Sequence, residues 1–430
     1  RPVHSVSSEN EACVRVIRAA FRFAIVVAIS LMLLTGRGVL HLSPVEELAK
    51  SHLYSLVQWE MENFLDKWIY RAKLLLRGSS FNQQARVDLV LEYFNLGEQE
   101  NKLERAIQEA SKSPDGSHGK SLDAFKKELL QVEKSLGKMR DMVEEVLEQE
   151  IDSIVSSEGL YVGGPLNFLR ILFPPVDIRI EPSPRVLVVS PRDRIEMIDG
   201  ILLEPGITLK EMEALEDRVF KEQNLSVLVE GTGGVATYPA VISPDFSLLG
   251  TLTTAAHEWL HHYLFFHPLG RTYGMSPDMT SLNETLATIF GQEIGNMALH
   301  KFEESIVVPA PPPQSPSPPK TAVEFDFRME MRGTRIRVEE LLREGKLEET
   351  ERYLEERRLI LANPGHVIRK LNQAYFAFHG TYGDNPASIS PIFEQLSTLR
   401  AASPSLGYFV REVASVSSYT EFLELLESEG

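Results

Sequence analysis

Cysteine is almost missing from this chain: Cys13 is the only one in 430 residues, so no disulfide can form within it. That leaves the compartment open, because an exported domain does not require a disulfide. Basic residues are also in deficit, 44 Lys and Arg against 61 Asp and Glu, for a net charge of −17. Such a balance argues against nucleic acid as a partner, which needs clustered positive charge, and points to an acidic soluble body. The glycine cluster Gly231-Thr232-Gly233-Gly234 is not followed by Lys-Ser or Lys-Thr, which removes the phosphate-loop reading. Nor does any apolar run reach the roughly 20 residues of a transmembrane helix.

The nearest approach to one is residues 23–36, 14 residues without a charge. Arg15, Arg18 and Arg22 precede it and Arg37 follows. Flanking arginines can snorkel to the interface, and their excess on one side sets orientation. The expectation is a single-pass signal anchor with everything after Leu42 outside the cytoplasm. A cleaved signal peptide and a buried soluble helix are the competing readings. Against cleavage, no Ala-x-Ala follows, only Gly36-Arg37-Gly38.

The remainder, 43% hydrophobic over the full length, suffices for two or three domains. Residues 43–160 carry apolar positions at three-and-four spacing, including Leu53 to Trp68 and Leu122 to Val146, with a turn signal at residues 113–117. They read as a helical hairpin region. Residues 161–305 change character: strands are expected at 176–180, 185–189, 194–198 and 225–229, and Thr208 with Glu211 spells a capping box. Residues 306–322 form a proline-rich linker. Residues 323–430 return to helix, and His366 to Tyr382 reads as one helix carrying Asn372, Tyr375, His379 and Tyr382 on a polar-aromatic stripe. That stripe faces a cleft or packs beneath one; periodicity does not choose.

Chemistry concentrates at Thr253-Thr254-Ala255-Ala256-His257-Glu258-Trp259-Leu260-His261-His262. On a helix, His257 and His261 lie one turn apart, about 40° around the axis. They can hold one zinc ion while Glu258 stands beside the metal-bound water as its base. A hydrolytic zinc needs a third protein ligand, and Glu284, after 22 intervening residues, is the natural candidate, with Glu293 the next to consider. Ala287, one turn past Glu284, is small enough for close helix packing. His262, about 100° round from His261, and His267 read as surface or supporting groups rather than ligands. Tyr382 and His379 are the candidates to donate to the oxyanion.

Together with Asn283-Glu284-Thr285-Leu286-Ala287-Thr288-Ile289-Phe290, this motif resembles the gluzincin (thermolysin-like) metallopeptidases. Within them it is most similar to bacterial zinc aminopeptidases with an Asn-Glu-x-x-Ala second motif. Gly234-Val235-Ala236-Thr237-Tyr238, Leu371-Asn372-Gln373-Ala374-Tyr375 and Gly380-Thr381-Tyr382 extend the resemblance over roughly residues 225–425. It implies an α+β, mostly helical zincin-like domain with a small β-sheet, completed by residues 323–430, and a zinc cofactor. It also implies that Asn283 and Thr288 support the ligands, Thr288 standing where thermolysin has an aspartate. Residues Gly234, Val235, Ala236, Thr237 and Tyr238 would form a cleft lip that pairs with an extended peptide or protein substrate. The expected function is a membrane-anchored zinc peptidase, aminopeptidase or endopeptidase being left open, as is oligomeric state. The rival is a non-enzymatic, membrane-tethered scaffold whose helical arm binds partners, though a scaffold needs no paired metal ligands.

Overall fold

A computed structural model describes residues 42–60, 82–111, 119–161, 172–244, 247–304, 326–362 and 367–429. The apolar run 23–36 and the proline-rich linker 306–322 lie outside these residues. Among the described residues no helix is long and apolar enough to cross a membrane.

Helix α1 (Pro44–Ala49) starts at a capping box in which Ser43 and Glu46 exchange side-chain-to-backbone hydrogen bonds. A 3₁₀ turn, Lys50–His52, ends it. Leu53, expected within a helix, instead forms a bridge with Leu203, because the chain here runs along a sheet edge. Helices α2 (Gln83–Ser111) and α3 (Gly119–Ser157) make the expected hairpin. Val87, Val90 and Tyr93 pack against Val132, Leu136 and Val143, and the core continues through Leu147, Ile151 and Ile154 into the rest of the molecule.

Next come β1 (Ile178–Ile180), β2 (Arg185–Pro191), β3 (Asp199–Leu203), α4 (Leu209–Gln223), β4 (Leu225–Gly231), β5 (Gly234–Val235) and β6 (Ala240–Ile242). They build two three-stranded sheets where one small sheet was expected, in the orders β3-β2-β4 and β1-β6-β5. The first is antiparallel; in the second, β1 runs parallel to β6. Residues 194–198 are not a strand. The register Val189↔Asp199 spends them on the connection from β2 to β3, leaving Met197 and Ile198 exposed. Strand β2 is buried on both faces. One face, with Leu187 and Val189, meets Met212, Leu215 and Val219 of α4 and Val45 and Ala49 of α1. So α1 packs with this sheet and not with the hairpin. The capping box at α4 forms between Thr208 and Glu211 as read.

The outer edge of β1 is closed by α3. Glu148 accepts from the Ile178 N–H and Glu144 from the Ile180 N–H, both at 2.8 Å. Two buried carboxylates thus take the place of a further strand.

Helices α5 (Leu248–Phe265), α6 (Pro268–Arg271) and α7 (Pro277–Glu304) follow. Ser247 caps α5 by accepting from the Gly250 N–H. Trp259, almost fully buried, donates through Nε1 to the Pro174 carbonyl at 2.8 Å and stacks on Phe290 of α7. Helices α5 and α7 approach very closely. A Cβ on Gly291 would lie 2.7 Å from the Thr253 carbonyl oxygen, and one on Gly295 2.4 Å from Thr253 Oγ1. Ala287, fully buried, extends this small-residue strip toward the motif.

The remaining helices are α8 (Phe327–Arg343), α9 (Leu347–Ala362), α10 (Gln373–His379), α11 (Ile392–Ala402), α12 (Leu406–Ala414) and α13 (Tyr419–Glu429). Leu396, Leu399, Phe409, Val413 and Phe422 of α11 to α13 share the core of α5 and α7. Ala374 and Phe378 of α10 cover the second face of the β2 sheet, over Val186, Val188 and Leu228. The single helix expected to run to Tyr382 is shorter. Asn372 is its N-cap, accepting from the Tyr375 N–H, and Gly380 ends it before Tyr382.

Candidate metal centre

Helix α5 places His257 and His261 on one face, and α7 brings Glu284 to them. His257 Nε2 and His261 Nε2 are 3.0 Å apart, and Glu284 Oε2 lies 3.5 and 3.6 Å from them. Four ligands at zinc bond lengths of about 2.0–2.1 Å stand roughly 3.3 Å apart in a tetrahedron, so these three atoms fit three of its corners. They are the one group of this kind among the described residues. The donor set, two imidazoles and a carboxylate with room on one side, is of a kind that can hold a zinc ion and leave one position open.

The surroundings hold the donors in place. Asn283 Oδ1 lies 2.9 Å from His261 Nδ1, which leaves Nε2 facing the centre when Nδ1 carries the proton. Tyr273 donates its hydroxyl to Glu284 Oε1 at 2.7 Å, leaving Oε2 to the histidines. Burial opposes charge on Glu284, yet the two imidazoles hold its carboxyl far below the usual range. Burial likewise lowers His261, but Glu284 overrides it and pushes the imidazole up to about 9. Burial raises the Glu258 carboxyl against the pull of both histidines.

These groups line one cleft of about 410 Å³, within the range of small-ligand sites. Gly234, Val235, Ala236 and Tyr238 line it too. Gly234 is where glycine is required: a Cβ there would sit 2.7 Å from Glu258 Oε1. Thr237 does not reach the cleft; it is buried, donating to the Pro239 carbonyl at 2.7 Å. Tyr238 also has a structural task, donating to the Pro175 carbonyl at 2.9 Å.

The two candidate oxyanion donors separate. Tyr382 lines the cleft, and Glu284 first, then burial, keeps its hydroxyl protonated far above neutrality. Its loop is tied to α7 by the Gly383 N–H donating to Thr285 Oγ1 at 3.0 Å. His379 is outside the lining and faces Glu230 at 3.8 Å, because α10 turns that side toward β4. Thr288 does not orient a ligand: its hydroxyl turns back to the Glu284 carbonyl at 2.9 Å, a bond a helical threonine makes with its own preceding turn. Glu293 is held by Arg400 through two 2.8 Å hydrogen bonds and cannot serve as the third ligand.

His262 is not a surface group. Both ring nitrogens are shielded from solvent, the ring lies 5.2 Å from that of Tyr238, and burial lowers its pKa to about 4. His267 stacks on Tyr263 and its Nδ1 sits 2.8 Å from the Tyr263 carbonyl, away from the centre. Tyr273 is the residue that sequence reasoning missed. It stands in the turn between α6 and α7, where no periodicity marks it.

Comparison of the chain with protein-family models, with curated proteins and with solved structures found no match to any of the three.

Proposed function

We infer that this chain is a zinc-dependent peptidase of the gluzincin type, with His257, His261 and Glu284 as metal ligands and Glu258 as general base. The observation that carries the reading is the convergence of these four side chains on one open cleft. The donor atoms stand at tetrahedral spacing, and Glu258 sits one residue from the first ligand.

Zinc, when bound, supplies a Lewis acid that acidifies a water and polarises a peptide carbonyl. Glu258 would take one proton from the attacking water and deliver it to the departing nitrogen as the C–N bond breaks. The water oxygen ends in the new carboxylate, so atoms balance without a covalent enzyme intermediate. Tyr382, held protonated, donates a hydrogen bond where negative charge develops on the carbonyl oxygen. Tyr273 keeps Glu284 turned to offer Oε2, and Asn283 does the same for His261.

Two substitutions separate metal binding from proton transfer. Glu258→Gln keeps size and hydrogen bonding but cannot take the proton. It should retain about one zinc per chain and lose roughly 10²–10⁴ in rate. Glu284→Ala removes a donor and should lose both zinc and activity. Zinc is measured by elemental analysis after dialysis against a weak chelator. If Glu258→Gln loses the metal while Glu284→Ala keeps it, these roles are wrong.

A further inference from the structure

The walls of the cleft bear on which part of a polypeptide it holds, an inference that rests on the peptidase reading above. At neutral pH a free amino end is largely charged and a free carboxyl end fully so. Holding either in a partly buried site without a partner costs several kcal/mol. An enzyme that trims ends therefore needs an anchor of opposite charge beyond the groups that do the chemistry.

Among the described residues, the carboxylates that line this cleft are Glu258 and Glu284, and no lysine or arginine lines it. Both carboxylates are committed. Glu284 is shared by the two histidines and Tyr273, and Glu258 lies under Gly234 as the base. Two nearby acids lie outside the lining: Glu230 stands 3.8 Å from His379, and Glu60 accepts from the Tyr238 N–H. Asp384, two residues beyond Tyr382, stays outside the lining.

What the cleft does present is apolar surface from Pro174, Val186, Leu202, Phe266 and Phe378, with Phe265 at its rim. Phe265 is 48% and Tyr273 50% exposed, and Met275 just beyond is 75% exposed. Large apolar groups left in water beside a cleft gain most from contact with apolar partners. The other feature is β5, the outermost strand of its sheet, whose Gly234 and Val235 line the cleft. Strand pairing along such an edge recognises main chain anywhere in a polypeptide and does not depend on an end.

We propose that the cleft takes an interior, uncharged and apolar stretch of polypeptide, so that the centre acts as an endopeptidase and not as an aminopeptidase.

The test uses the full chain loaded with zinc and one apolar peptide of about ten residues in four forms: both ends free, amino end acetylated, carboxyl end amidated, and both blocked. Affinity is measured by calorimetry on Glu258→Gln, whose zinc content is checked first. Cleavage by the unsubstituted chain is read by mass spectrometry. The doubly blocked peptide should bind within about threefold of the free one and be cut at an internal bond. Placing Asp or Lys at the central positions should weaken binding at least tenfold. Tenfold tighter binding of the free-amine forms, or removal of single residues from the amino end, overturns the proposal while leaving the peptidase reading intact. If Asp384→Asn then abolishes that preference, the anchor is Asp384. Equal binding of all four forms without any cleavage supports the cleft assignment and sinks the hydrolytic reading instead. Binding of none of them overturns the proposal.

Discussion

Replacing Gly234 by alanine should disable the base without touching the metal. The added Cβ would lie 2.7 Å from Glu258 Oε1, 2.9 Å from Glu258 Cγ and 2.9 Å from Thr254 Cγ2. Backbone strain does not enter, since Gly234 is not among the residues with positive φ. Ordinary contact begins near 3.4 Å, so Oε1 must retreat by about 0.7 Å. A 1 Å error at a reacting group can cost about 10² in rate, so a loss of roughly 10–100-fold is expected, or about 1.4–2.7 kcal/mol in the barrier. The crowding itself should lower stability by about 1–3 kcal/mol, because α5 is packed and cannot drift away. None of the three atoms nearest the new methyl belongs to His257, His261 or Glu284. The assay is a rate of peptide cleavage beside zinc stoichiometry and a thermal melt on the same preparation. Gly234→Ala with unchanged rate would falsify the placement of Glu258 beneath the lip strand. Loss of zinc together with rate would show that the methyl disturbs the whole helix, contrary to the local argument.

Asn283→Ala removes the group that orients His261, so zinc affinity should fall about 10–100-fold with the fold intact, as read by competition with a chelating dye. Glu216, almost fully buried on α4, accepts from Arg369, Lys370 and the Val229 N–H. Burial pushes its carboxyl up, but these partners hold it below the usual carboxylate range. A carboxyl depressed by folding stabilises above its unfolded pKa and loses that contribution as pH falls through its folded value. Glu216→Ala should therefore cost about 3 kcal/mol at neutral pH, the low end for a broken buried pair because Arg369 and Lys370 can turn to water. The difference from the parent should shrink below about pH 4.5, and a difference constant from pH 7 to 3 would contradict the assignment. Cutting the chain after Pro319 removes α11 to α13 from the core of the zinc helices, so the product should bind a hydrophobic dye and lose zinc-dependent cleavage; a stable, active fragment would refute that dependence. The proposed membrane anchor at residues 23–36 is checked by adding protease to intact cells, which should degrade the domain from outside.

Local periodicity was enough for part of this. A four-residue step on a helix puts His257 and His261 on one face in any context, which is why the candidate pair was readable before any fold. The capping box of Thr208 and Glu211 was legible for the same reason, its partners being three residues apart. The apolar run 186–189 likewise marked a strand, and the structure buries it on both faces. Residues 194–198 misled because their alternation matched a strand while the pairing of Val189 with Asp199 required them as connection. His379 and Tyr382 were grouped on one helix, and the helix end at Gly380 sent them to different surroundings.

The candidate third ligand shows where sequence stops and tertiary structure takes over. Glu284 and Glu293 share one helix, nine residues and about 180° apart, so both could not face α5; spacing and the Asn-Glu-x-x-Ala pattern favoured Glu284, and packing is what turns it there. The choice was made by the glycines at 291 and 295, which let α7 seat against Thr253, and by Arg400, which draws Glu293 to the opposite side. Tyr273 could not be found at all from its neighbours, because a turn has no period and its position depends on where two helices end. The same holds for Gly234, whose requirement for a missing side chain comes from Glu258, 24 residues later in the chain. Distances of this kind are set by packing, where each contact depends on many others, and no short window of sequence contains them.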